Sequence, residues 1–432
     1  MNFNEKDKEK VVGRSLVLEC FDMTLKQNTE SSPVVIQGVG SLEFDPGGQL
    51  GFKLYDTSKN SSSAEISEYF FDRPEGLVPE ARYYSLSAID EHGVEWVHPK
   101  VYIDGGLHAT RMGIIVSGTV PYIRAKKLRR NPIKGSGAEI HIRGQFNLPF
   151  NDFKDGKYGY TSLSRLRFNL RDVEVVISQF EGYLEVELDS DSEFVTLEFV
   201  TGFLEGLGIA IGRDVTPAFY QVVMGEEVDA YIHGGGDIKG VGVIEPMVEV
   251  FYNKEHQLVG FLNAYVESRS SMHDHLVSYW NRLYRVPDMV TEVAALVLTV
   301  NIEGMVKNYF SQNRMLPPEI LQDVCETKRA LKYIQLPDYT SSRINSYLAN
   351  LGRHGTAGIL KELAKEGVIK DVEVKSWSAL RHSLAHADNI SSDFGSINKM
   401  VSDIHNCINL FYRLIGVSVG FDIYEFVKVE SQ

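Results

Sequence analysis

Cysteine is scarce in this chain, with three residues, Cys20, Cys325 and Cys407, among 432. Their odd number and wide spacing exclude a disulfide framework and a cysteine-rich zinc site, and fit reduced thiols used for packing. Long apolar runs are missing too. The most hydrophobic stretch, Val293 to Ile302, lies between Glu292 and Glu303 and falls far short of the ~20 residues that a membrane span needs. The opening MNFNEKDKEKVV is charged where a signal peptide would carry its apolar core. A cytoplasmic protein that makes no use of a membrane is the expectation. No glycine-rich phosphate loop stands in a strand-to-helix setting: His233-Gly234-Gly235-Gly236 and Gly240-Val241-Gly242 read as turns. His273-Asp274-His275 is a poor metal set, because side chains two apart on a helix diverge and no cysteine or further histidine is near. No metal and no cofactor are expected.

What is present is an ordinary globular composition, 43% hydrophobic and 24% charged, in a chain long enough for two or three domains at about 100–200 residues each. The net charge is -14, which opposes a nonspecific grip on nucleic acid. Its distribution is uneven. From Arg285 onward 16 basic residues face 17 acidic ones, whereas the preceding part sets 28 against 41. A local basic groove in the last part is therefore compatible with the acidic total. The run Arg124-Ala125-Lys126-Lys127-Leu128-Arg129-Arg130 reads as a solvated loop with the capacity to touch phosphate.

Residues 1–190 alternate short apolar and polar positions between Gly, Pro and Asp turns, which predicts an antiparallel sheet closed as a sandwich or barrel. The segments are SLVLECFDMTL, PVVIQGVGSLEFDPGGQLGFKLYD, VYIDGG, GIIVSGTVPYI and AEIHIRGQFNL. Turns are expected at Asp45-Pro46-Gly47-Gly48, Glu91-His92-Gly93 and Asp104-Gly105-Gly106. Residues 191–284 are mixed: VTLEFVTGFLEGLGIAIG suits strand or short helix, while VDAYIHGGGDIKGVGVI and MVEVFYNKEHQLVGF read as extended. This stretch is taken as a continuation of the sheet region plus a connector. After Pro287 the period changes to about 3.6 residues, with Val290, Val293, Val297 and Val300 in one row. Further helices are expected over ILQDVCETKRALKYI, Ser342 to Leu351, GILKELAKEG, the segment through Trp377 to Ala387, and Asp393 to Ile415. The whole reads as an α+β protein with a β-rich N-terminal region and an all-α bundle over 285–432.

Chemistry concentrates in SWSALRHSLAHAD, Ser376 to Asp388. On a helix, Trp377, Leu380 and Leu384 share a buried stripe, His382 and His386 point away from it, and Arg381 lies on the flank. Arg381-His382-Ser383-Leu384-Ala385-His386 resembles the Arg-polar-x-x-x-His signature of HEPN ribonucleases, in which the second position is most often Asn. The β-rich region with VVIQGVGSLEFDPGG, the later EFVTGFLEG and the helical C-terminal part together resemble ApeA-type phage-defence proteins. That resemblance implies a metal-independent endoribonuclease of abortive infection. Arg381 and His386 would be catalytic, with His382 in the polar position between them. The implied partners are an RNA substrate such as tRNA or rRNA, a phage-derived trigger sensed by the N-terminal region, and a second copy of the chain across the helical domain. Glu303, on the first helix of the bundle, is placed to orient a catalytic side chain. The alternative is a HEPN-like module without catalysis that binds a nucleotide or partner.

Overall fold

The computed structural model describes residues 5–30, 32–56, 78–110, 113–128, 134–155, 161–192, 194–235, 244–269, 273–284, 291–311, 318–351, 355–385 and 394–421. The chain divides into two compact units, Met1–Lys239 with Val248–Asn263, and Gly240–Met247 with Ala264–Gln432. The first is β-rich and the second helical, so the α+β reading holds at that level.

The first unit begins with a short helix, α1 (Glu5–Val12), followed by β1 (Val17–Gln27), β2 (Val35–Phe44), β3 (Leu50–Asp56), β4 (Tyr84–Asp90), β5 (Glu95–Thr110) and β6 (Gly113–Thr119). The order β4-β1-β2-β3-β6-β5, with β4 also paired to β5, closes these six strands into an antiparallel barrel. Strict alternation fills it: Leu50, Phe52 and Leu54 of β3 are buried, with Met23, Leu25, Ile36 and Trp96 against them. Gly38 and Gly40 of the VVIQGVG segment are a packing requirement. A Cβ on either would stand about 2 Å from a carbonyl oxygen of Tyr55 or Lys53, so only glycine lets β2 lie against β3.

Two of the three expected turns form. Asp45 closes the β2–β3 hairpin, its carboxylate accepting from the Gln49 amide at 2.8 Å, and Gly48 takes φ +79°. At the β4–β5 turn the buried Asp90 carboxylate accepts from the amides of His92 and Val94 and from the Trp96 indole. Asp104-Gly105-Gly106 is not a turn. It lies inside β5, where Tyr102 pairs Thr119 and Gly106 pairs Ser117, so the extra residues are absorbed as a bulge.

Beyond the barrel the sheet continues through β7 (Tyr122–Leu128), β8 (Ser136–Arg143), β9 (Asp152–Asp155), β10 (Thr161–Leu170), β11 (Val173–Phe180), β12 (Tyr183–Ser190), β13 (Pro217–Met224) and β14 (Glu227–His233). Their order from β5 is β7-β14-β13-β8-β12-β11-β10-β9. The sheet therefore runs past residue 190. The basic run is strand through Leu128, not loop, because Tyr231 and Asp229 of β14 pair with Arg124 and Lys126. VTLEFVTGFLEGLGIAIG is helix α2 (Leu197–Ile211), started by the Thr196 hydroxyl accepting from the Phe199 amide at 3.1 Å and ended by Gly212 at φ +66°. Its apolar side, with Phe203 and Leu207, is fully buried.

The helical region starts earlier than Pro287. KEHQLVGF, expected as strand, opens α3 (Glu255–Ser268), whose Leu258, Phe261, Leu262 and Tyr265 repeat at helical spacing and are buried. Then come α4 (His273–Tyr284), α5 (Thr291–Met305) running into a π turn (Val306–Phe310), α6 (Pro318–Leu331), α7 (Asp338–Leu351), α8 (Thr356–Lys365), α9 (Asp371–Ala385) and α10 (Phe394–Val419). Of the valine row expected on α5, Val293 and Val300 are 45% and 50% exposed, Val297 is half-buried and Val290 lies outside the described residues, while Ala294, Ala295, Leu298 and Ile302 pack inward. Among the described residues no helix is long and apolar enough to cross a membrane.

Candidate active site

The segment from Trp377 to Ala385 is helical, and its faces divide as the sequence requires. Trp377 and Leu380 are buried at 2% and 4%, whereas Arg381 and His382 are exposed. Arg381 is fixed from two sides. Its Nε donates to Oε1 of Glu303 on α5, and its guanidinium lies 5.9 Å from the Trp377 ring centroid one turn back. Because Glu303 takes Nε, the outer end of the guanidinium remains the part directed at a ligand. Arg381 is 54% exposed and Glu303 33%, so water screens the pair and its worth in stability is about 0–1 kcal/mol. Orientation is the larger effect.

A buried polar frame holds α9 in place. Arg413 of α10 donates through Nε to Glu373 at 2.8 Å, with side chains 9% and 3% exposed. The other Glu373 oxygen accepts from the Lys370 amide at 2.9 Å, which caps the start of α9. One turn along, the Ser376 hydroxyl donates to Asp403 at 2.6 Å and accepts from Asn406 at 3.1 Å. Trp377 Nε1 reaches the Thr299 carbonyl of α5 at 3.4 Å, tying α9 to the helix that carries Glu303. Asn301, fully buried on α5, donates in turn to the Tyr279 carbonyl of α4 at 3.0 Å. Arg381 thus projects from a rigid three-helix seat of α5, α9 and α10.

No family model, curated protein or solved structure matches the chain. Function must be argued from the residues themselves. Of those singled out in the sequence, the structure brings Arg381 and Glu303 together and sets His382 beside them on the exposed face; His386 lies outside the described residues. The side chain of Leu384 does as well, and so does that of His273, while His275 is exposed on α4. The thiols of Cys20 and Cys407 are buried packing groups, and burial pushes the Cys20 thiol up to about 12. Cys325 is exposed on α6, contrary to the packing role expected of all three.

Sequence reasoning missed a second polar cluster. In the first unit Glu139 and His141 of β8 and Glu185 of β12 bring ligand-type atoms within 4.8 Å of one another. Lys8 of α1 forms a salt bridge with Glu139, His141 Nε2 lies 2.8 Å from the same carboxylate, and Gln221 donates to its other oxygen at 2.8 Å. Burial alone would raise the Glu139 pKa. The hydrogen bonds from His141 and Lys8 and their charge outweigh that and hold it at about 2. The lysine ammonium already supplies the cation such a cluster calls for. Arg143, two residues on, donates to the carbonyls of Val11 and Val12 at 2.7 and 3.0 Å and so satisfies the C-terminal end of α1. The cluster is the clasp of α1 on the sheet.

Proposed function

We propose that the helical unit is a metal-independent endoribonuclease of the HEPN type acting in anti-phage defence, with the β-rich unit sensing the trigger or restraining the enzyme. The observation that carries this reading is the exposed Arg381 on α9, held by Glu303 and Trp377 and five residues before His386 in the sequence. The RNA 2′-hydroxyl is a nucleophile already adjacent to the scissile phosphate, so strand cleavage needs proton transfer and charge stabilisation only. Arg381 suits the phosphate: a guanidinium donates two parallel hydrogen bonds to its oxygens and offsets charge that builds on them. His386, as an imidazole side chain, suits proton transfer. His382 lines the same face.

The proposed enzyme is a homodimer through the helical unit. Support comes from the apolar row Val293, Leu296 and Val300 on α5 and from Ile397 and Val401 on α10, exposed at 43% and 53%. A two-fold axis there would gather two Arg381/His386 pairs into one groove.

The Glu303 pair favours a second reading, a HEPN-like module that binds a nucleotide or partner without cleaving, since a guanidinium committed to a carboxylate is partly neutralised. Incubating the purified chain with tRNA and rRNA in EDTA separates the two. Cleavage leaving 2′,3′-cyclic phosphate and 5′-hydroxyl ends supports the nuclease; intact RNA with measurable binding supports the module.

A further inference from the structure

The barrel carries a cleft of about 510 Å3 where β5 pairs with both β4 and β7, lined by Thr24, Lys26, Ser87, His98, Tyr122 and Arg124 among others. Its size lies within the roughly 300–1,000 Å3 of small-molecule sites. All of it belongs to the first unit. His98 is 96% buried by the converse of its 4% exposure, and its Nδ1 accepts from the Lys100 amide at 3.0 Å. Nε2 must then carry the proton, and it finds no hydrogen-bond partner among the described residues. Burial lowers the His98 pKa, and the hydrogen bond at Nδ1 selects this tautomer. Nε2 has almost no accessible surface, so the ring serves to brace Tyr122 rather than to meet a ligand.

Leu86, Val97 and Pro99 give the cleft apolar walls, and its charged groups are cationic. Lys26 and Arg124 contribute two cations, and the lining contains no carboxylate, although residues before Arg285 hold 41 acidic side chains against 28 basic. Asp229 takes Nε and Nη2 of Arg124 at 2.9–3.1 Å and aims the guanidinium. The hydroxyls of Ser85 and Ser87 donate to the Lys26 carbonyl and to Glu95, so toward a ligand they offer lone pairs. Tyr122 supplies a ring, itself held edge-on by His98 at 4.6 Å and backed by His233 at 5.6 Å. Cations, hydroxyl acceptors and a braced aromatic face are the complement of a phosphorylated ligand with a planar base and sugar hydroxyls.

We propose that this cleft binds a nucleotide, its base against Tyr122 and its phosphate on Lys26 and Arg124. The nucleotide is either free or part of an RNA strand. This inference uses neither Arg381 nor His386 and stands apart from the nuclease reading.

Calorimetric titration of the full chain with AMP, ATP, pyrophosphate and a short 2′-O-methyl oligoadenylate, which resists cleavage, tests it. Saturable binding is expected, stronger for ATP than for pyrophosphate. Losing a charge-assisted phosphate contact in Lys26→Ala should weaken it at least about tenfold. Lys332→Ala, an exposed lysine of the other unit, should leave it unchanged. Lys26 is exposed, so its variant folds. AMP or ATP binding with this sensitivity identifies a free nucleotide; binding of the oligonucleotide alone, with the same sensitivity, identifies an RNA strand. Absence of binding by every probe, pyrophosphate binding as tight as ATP, or indifference to Lys26→Ala overturns the proposal.

Discussion

Replacing Glu373 by Ala should loosen the seat of Arg381 without touching an exposed residue. The change leaves Arg413, 9% exposed, without its carboxylate partner on α9, and removes the acceptor that caps the Lys370 amide. Breaking a buried pair costs about 3–5 kcal/mol, because one charge stays buried and uncompensated. Loss of a helix cap alone costs about 0.5–2 kcal/mol, so the ion pair dominates. At a urea slope of about 1–3 kcal/mol per molar, the unfolding midpoint of the helical unit should fall by roughly 1–5 M. Peptide-resolved hydrogen exchange across a urea series, read over residues 371–385 and 394–419, isolates this transition from that of the β-rich unit. Glu373→Leu combined with Arg413→Met removes both charges and should recover most of the loss. A single variant within about 1 kcal/mol of wild type would refute the argument. So would a double variant no better than the single one.

Acid should release the α1 clasp. Glu139 is held at about 2 against its ordinary 4.5, so its stabilisation is complete above 4.5 and is lost as pH falls from there toward 2. The difference corresponds to roughly 3 kcal/mol, and Glu139→Gln should flatten the acid limb of the first unit's melting curve below pH 4.5. His233 acts in a separate window: burial and Arg143 lower its pKa from 6.5 to about 4, so the stability it contributes is full above 6.5 and falls between 6.5 and 4, and His233→Asn should remove that limb. For RNA cleavage, Glu303→Ala should reduce the rate about tenfold by freeing Arg381, an effect of about 1.4 kcal/mol on the barrier, whereas Glu303→Gln retains an acceptor for Nε and should stay near wild type. His382→Asn should be tolerated. Val293→Glu with Val300→Lys should convert a dimer to a monomer in light scattering and abolish cleavage; a monomeric variant that still cuts RNA would remove the dimeric groove from the account.

The strands and the α9 stripe were legible because each follows a single period: two in Leu50-Phe52-Leu54, and three to four in Trp377-Leu380. What resisted reading was competition between two equally apolar faces, or a polar face covered from elsewhere. On α5 both a valine row and an alanine-leucine row repeat at helical spacing, and only packing against the neighbouring helices selects the second. On β8 the alternation of Glu139, His141 and Arg143 with Ala138, Ile140 and Ile142 has the form of a solvated face, yet α1 closes over it. KEHQLVGF is short, and Leu258, Val259 and Phe261 fit a strand as well as a helix until Leu262 and Tyr265 extend the period. Glu303 was singled out in the sequence, and the structure pairs it with Arg381, 78 residues away. The Glu373–Arg413 pair, 40 residues apart, leaves no local trace.

The central claim is that Arg381 and His386 cleave RNA through the substrate's own 2′-hydroxyl. The most direct measurement compares wild type, Arg381→Ala and His386→Ala on one RNA in EDTA, together with the same RNA carrying a single 2′-deoxy substitution at the cut site. The account predicts cutting by wild type only, 2′,3′-cyclic phosphate ends, and loss of that one cut in the deoxy substrate, with melting curves of both variants close to wild type. Cleavage that persists in either variant, requires magnesium or leaves 5′-phosphate ends would contradict it.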